Sequence, residues 1–345
     1  MGRGLLLFLL LLGFELVFFG AVDGSQGDAH PPYMECIDQC EKTGALKESS
    51  VKHCMTSSGN FPSDDPWYKQ EPLYLQWKEW NCKSDCRYHC MMQLEKEREE
   101  LGLGPIKYHG KWLFKHVSVF QEPLSAILSA LTLLVQFNGW LSFVLLVHYK
   151  LPLRPETRKT YYEFTGLWHI YGIFSMNGWF WSSIYHSRYA DWTEKLYYSS
   201  AVALLGFSLI LAIMRAFNVR AEASRVMVAA PLLAFLTTHI LYLNFYRLDY
   251  NLNMKVCVAI GTAQMLIWAI WGSVTRHPSG AKLWVIAIGG ISAVILEIYD
   301  FPPYMGYADA HALCFLLAVP LSYLWWSFVK EDAELRTLTI MKKTK

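Results

Sequence analysis

Ser182 and His186 stand four residues apart in one apolar stretch, and His311 opens another far along the chain. Positions i and i+4 of a helix share a face, so this hydroxyl and imidazole would point the same way. Ionisable groups at membrane depth are costly, and each is a functional-site hypothesis. Neutral imidazole is the commonest zinc ligand, and a catalytic zinc takes three protein ligands and a water. Two histidines and a serine at one membrane edge suit a metal-dependent lipid hydrolase, in which a zinc-activated water attacks an ester carbonyl. On spacing alone the blander reading prevails, because a lone histidine at a helix end is more often an interfacial hydrogen-bonding group. The elements that carry these residues therefore decide the reading.

Those elements are membrane helices. The 345 residues are 53% hydrophobic and 17% charged, too apolar for an ordinary soluble domain of this size. A net charge of +2, with no long basic run, gives no sign of nucleic acid as a partner. Seven apolar stretches are long enough to cross a bilayer, at 124–148, 161–186, 196–217, 226–246, 253–274, 282–300 and 307–328. The second and seventh are the most interrupted by polar residues. The expected class is an all-α membrane protein, a seven-helix bundle behind a disulfide-rich N-terminal luminal domain.

Residues 1–24 read as a secretory signal: Arg3, an apolar core from Leu5 to Phe19, then Gly20, Ala21 and Gly24. The alternative is a retained anchor helix. Residues 25–120 form the expected cysteine-rich luminal domain, 121–328 the membrane domain and 329–345 a cytosolic tail. Loops after the first, third and fifth stretches carry Lys150, Arg154, Arg158, Lys159, Arg215, Arg220, Arg225, Arg276 and Lys282. The opposite loops carry Arg188, Lys195, Arg247 and Lys255. This asymmetry places the first set in the cytosol, in agreement with a cleaved signal that leaves the N-terminal domain in the lumen. Ser182, His186 and His311 then share the luminal rim.

Cys36, Cys40, Cys54, Cys82, Cys86 and Cys90 cluster behind the signal and read as a disulfide framework. Sequence leaves their pairing open, but a Cys-x3-Cys spacing puts two thiols on one helical face, so two such helices could be stapled side by side. Zinc binding by these cysteines is the weaker alternative. Cys257 and Cys314 lie in apolar stretches and are expected unpaired. Lys342 and Lys343, near the C-terminus, resemble a dilysine signal for coat-protein retrieval; a generic basic tail is the alternative.

Several strings resemble one family. They are Trp77-Lys-Glu-Trp80-Asn-Cys82-Lys-Ser-Asp-Cys86-Arg-Tyr-His-Cys90-Met91, Gln121-Glu122-Pro123, Asn177-x-Trp-Phe-Trp-Ser182-x3-His186-x-Arg188, Glu297-x2-Asp300-Phe-Pro-Pro303 and Asp309-Ala-His311-Ala. Over nearly its whole length the chain resembles the GPI-anchor lipid-remodelling proteins, the Per1-like or post-GPI-attachment factor three group. That group belongs to a seven-span hydrolase superfamily with alkaline ceramidases and adiponectin receptors. The resemblance implies removal of the sn-2 fatty acid from GPI-anchored proteins, by a zinc enzyme in Golgi or, alternatively, endoplasmic reticulum membranes. It implies Ser182 as an assisting catalytic hydroxyl, and His186 and His311 as zinc ligands.

The superfamily pattern also expects an aspartate eleven residues beyond His186 and a histidine four beyond His311. This chain has Tyr197 and Phe315 there. Phenylalanine cannot coordinate, and tyrosine is a poor base at neutral pH. Cys314 is a substitute ligand on the His311 face, and Asp191 a substitute carboxylate. The two departures support a second reading, a non-catalytic relative that binds GPI lipid or GPI-anchored clients.

Overall fold

The computed structural model describes residues 26–43, 82–109, 111–117, 120–155 and 157–344. The expected signal segment, Cys54 and the string before Cys82 lie outside them, as does the Cys82 side chain. The chain is an all-α membrane protein, and it divides into two compact units, Val22–Lys115 and a larger unit containing His116–Lys345.

In the smaller unit α1 (Pro31–Thr43) packs on α2 (Cys82–Glu100). Two bridges, Cys36–Cys90 and Cys40–Cys86, staple one face of each helix. The i,i+4 spacing on both helices makes this crossed ladder possible. Tyr33, Leu94 and Tyr108 complete a small core around the sulfurs. The Tyr33 and Tyr108 rings lie 4.8 Å apart, and burial raises both phenols above the ordinary tyrosine range. A core this small needs covalent help.

The larger unit holds α3 (Pro123–Leu145), α4 (Thr165–Ser187), α5 (Asp191–Ala216), α6 (Glu222–Leu241), α7 (Tyr250–Val274), α8 (Gly280–Tyr299) and α9 (Ala310–Thr344). Six helical segments are long and apolar enough to cross a membrane, corresponding to all of these except α4. The α4 helix has the length but carries His169, Asn177, Ser182, Ser183 and His186 among its apolar residues. The segment from 329 to Thr344 continues α9 without a break.

The principal contacts join α3, α4, α5, α7, α8 and α9 into a closed ring, with α6 packed outside on α5. Lipid tails are as apolar as leucine, so packing and buried hydrogen bonds must hold such a ring together. Gly139 lets α3 approach α9, since a Cβ there would lie 2.3 Å from the Trp326 ring. That indole donates to Gln136 Oε1 at 2.6 Å, and Gln136 Nε2 donates to Ser322 Oγ at 2.9 Å.

The ring end formed by the close of α5 and the middle of α9 is tied by an ionic knot. Asp332, fully buried, accepts from Arg215 Nε at 2.8 Å and from the Tyr162 hydroxyl at 2.5 Å. His277 Nε2 lies 3.5 Å from the same carboxylate, and the Arg215 guanidinium covers the Trp271 ring at 4.6 Å.

Candidate functional site

At the opposite end, the turn before α3 lies against the end of α4. Gln121 and Glu122 donate their amides to the carbonyls of Ser187 and His186, at 3.1 and 3.0 Å. Pro123 then starts α3, where its missing N–H costs nothing. This arrangement brings Ser129 Oγ of α3 to 2.8 Å from Ser182 Oγ of α4, both buried. The Glu122 carboxylate accepts from His186 Nδ1 at 2.6 Å, with both side chains buried.

A second carboxylate–imidazole pair stands beside the first. Asp309 caps α9 by accepting from the Ala312 amide at 2.8 Å, which fixes the turn that carries His311. Glu297, near the end of α8, accepts from His311 Nδ1 at 2.8 Å. The two imidazole centroids are 5.2 Å apart. Ser182 and His186 on α4 and His311 on α9, expected together from sequence, are thus brought to one end of the bundle, although α4 and α9 are far apart in the chain.

The two departures from the superfamily pattern fall inside this cluster. The Phe315 ring lies 4.4 Å from that of His311 and 5.2 Å from that of His186. The Tyr197 hydroxyl is 3.5 Å from His311 Nε2. Cys314 is a free thiol that donates to the Ala293 carbonyl at 3.0 Å, toward the α8 backbone. Asp191 begins α5, and its side chain lies outside the described part. Cys257 is also unpaired, as expected. His239 bonds Asn253 at 3.2 Å and His169 bonds His148 at 3.3 Å, so each has a partner within its own part of the bundle.

A zinc centre of the three-ligand kind does not fit this donor set. Two imidazoles are available, and a phenyl ring stands where the third is expected. Among the described residues, no three His, Cys, Asp or Glu side chains are grouped so as to hold a metal.

A model described as the Per1-like family matches residues 72–333. The chain belongs to the Per1-like family. Its relatives include the Bos taurus protein named GPI-specific phospholipase A2-like PGAP3, 32% identical over 315 residues and 90% of each chain. The Homo sapiens protein of the same name is 32% identical over 313 residues, again 90% of each. The Schizosaccharomyces pombe Protein PER1 homolog is 31% identical over 336 residues, 95% of this chain and 92% of its own. No solved structure is a significant match.

For this Per1-like chain, sequence reasoning did not assign roles to Glu122, Glu297 or Ser129. A signal was present for the two glutamates, since a carboxylate at either end of an apolar span demands a partner. Ser129 carries no such signal, because an isolated serine is common in membrane helices.

Proposed function

We propose that this chain removes the sn-2 fatty acid from the lipid of GPI-anchored proteins by ester hydrolysis in the lumen of the secretory pathway. The carrying observation is the pair of carboxylate-held imidazoles beside a buried hydroxyl pair at one end of an apolar bundle. The substrate class comes from the names of the relatives, GPI-specific phospholipase A2-like proteins.

An imidazole held through Nδ1 offers Nε2 to a proton. That nitrogen takes a proton from an attacking water as the new carbon–oxygen bond forms at the ester carbonyl. The bond to the glycerol oxygen then breaks, that oxygen takes the proton back from Nε2, and free fatty acid leaves. Ser182 and Ser129 supply hydroxyl donors one helical turn away on the His186 face of α4 and on its neighbour α3. No step is routed through zinc.

Golgi membranes are the proposed site of action, with the endoplasmic reticulum as the alternative. GPI-anchored proteins and their lipid are the proposed partners, together with coat-protein recognition of Lys342 and Lys343, both exposed in the last turn of α9. A second reading, a binder of GPI lipid that does not cleave it, draws support from Tyr197 and Phe315 in the cluster.

Complementation separates the two. The chain is expressed in cells lacking their own family enzyme, and the sn-2 chains of their GPI anchors are analysed. Restored remodelling supports the hydrolase; unaltered anchors with normal expression and location support the binder.

A further inference from the structure

We propose that Glu122 and Glu297 are positioning residues for the acyl-ester reaction. Each fixes one imidazole as its Nδ1–H tautomer, so that Nε2 is the basic nitrogen of His186 and of His311. The link to reaction rests on the hydrolase reading above; the tautomer assignment rests on the two Nδ1–carboxylate contacts and on a neutral ring facing an ionised carboxylate.

Both carboxylates sit at helix ends. Glu122 occupies the N-cap of α3, where negative charge is favoured and a short polar side chain would bond the first amides of the helix. It makes no such cap bond and reaches His186 instead. Glu297 lies in the last turn of α8, the end of a helix where negative charge is disfavoured. Helix electrostatics disfavour it there, and its bond to His311 gives it a compensating partner.

The hydrogen-bond chemistry then sets the tautomers. An ionised carboxylate only accepts, so each Nδ1 must carry its proton. In the neutral ring Nε2 is then left as the acceptor. The Tyr197 hydroxyl, 3.5 Å from His311 Nε2, is within reach of such an acceptor. The backbone adds registration, because the Glu122 amide bonds the carbonyl of the same residue whose imidazole its carboxylate holds. A ring held this way loses the rotation and tautomer exchange that would otherwise take its basic nitrogen away from a bound ester.

The test uses the full chain in lipid nanodiscs with 15N-labelled histidine. The parent is compared with Glu122→Ala, Glu122→Gln, Glu297→Ala and Glu297→Gln. His186→Ala and His311→Ala assign the two signals in long-range proton–nitrogen spectra. The parent is expected to show Nδ1–H at both histidines, and each alanine variant a mixture containing Nε2–H at the histidine it no longer holds. In fatty-acid release from a GPI phospholipid, each alanine variant is expected to lose about 10- to 100-fold in kcat, with KM changed little. The glutamine variants should recover part of that loss, since their amide oxygen accepts the same N–H. A structural role alone would not move the tautomer or split kcat from KM. An Nε2–H parent signal at either histidine overturns the assignment, as does an unchanged kcat in an alanine variant of an active parent. A parent that releases no fatty acid refutes the hydrolase reading and the link to reaction, while the spectra still decide the tautomers.

Discussion

Tyr197 sets its hydroxyl 3.5 Å from Nε2 of His311. The same ring stands edge-on to His186, with centroids 5.4 Å apart. One aromatic side chain thus touches both imidazoles of the cluster from α5, at the position where the superfamily pattern expects a carboxylate.

The first prediction follows from that contact. Phe315→His with Tyr197→Asp is expected to raise zinc content and fatty-acid release above those of the parent. Phe315 already lies against both imidazoles, so a histidine there completes a three-ligand set. Each single change should help less than the pair, because both groups act at one place. Metal analysis and lipid assays on the four proteins check this, and no gain in the double variant refutes it.

The stapled helices of the smaller unit should depend on their bridges. Cys40→Ser is expected to destabilise that unit by about 2–5 kcal/mol, the usual cost of losing a native disulfide from a small domain. Cys40→Ser with Cys86→Ser should cost about the same as Cys40→Ser alone, since both remove one bond. Limited proteolysis across a temperature series would show earlier cleavage, and an unchanged profile would contradict the claim.

Asp332→Ala should be the most damaging change at the far end of the bundle. It leaves the buried Arg215 guanidinium without its carboxylate, a loss of about 3–5 kcal/mol when one partner of a buried pair is removed. Arg215→Met added to Asp332→Ala should recover part of the loss. Thermal midpoints in detergent give the comparison; additive losses in the double variant would show that the two residues act separately.

Asp309 gives a pH prediction. Burial pushes its carboxyl up from 3.8 to about 6, despite the neighbouring His311 and the cap bond that oppose the shift. A folded-state value above the unfolded one means that its favourable contribution is complete below about pH 4 and lost as pH rises through 6. Asp309→Asn keeps a good cap but cannot ionise. Its stability advantage over the parent should therefore be near zero at acid pH and grow toward about 3 kcal/mol above pH 6. A constant difference across pH 4–7 would refute the assignment.

The spans were legible because each is an apolar run between polar loops. Pro123 begins α3 one residue before the expected start at 124, and α7 ends at the expected 274. The α4 stretch is the difficult one for a physical reason: its serines and His186 lie among apolar residues, and that polarity lowers its mean hydropathy. Face-sharing by Ser182 and His186 is local and could be read from spacing. The Glu122–His186 and Glu297–His311 pairs are tertiary, so no local pattern joins them. The disulfides divide the same way. Spacing gave the stapled faces, while the choice of Cys36 with Cys90 required the mutual direction of the two helices.

The length of α9 has a mechanical consequence. Its 35 residues make a rod of about 52 Å at about 1.5 Å per residue. The hydrocarbon layer takes about 30 Å of that, and tilt rather less than the remainder. Asp332, Ala333 and Thr337 are still buried in the bundle, so only the last two turns, beyond Thr337, project from it as a stiff stalk of roughly 10 Å. Lys342 and Lys343 ride near its tip. Any protein that bound them would meet them at a set distance beyond the bundle, so shortening the stalk by whole turns would draw that contact back toward the bundle while leaving the lysines themselves intact.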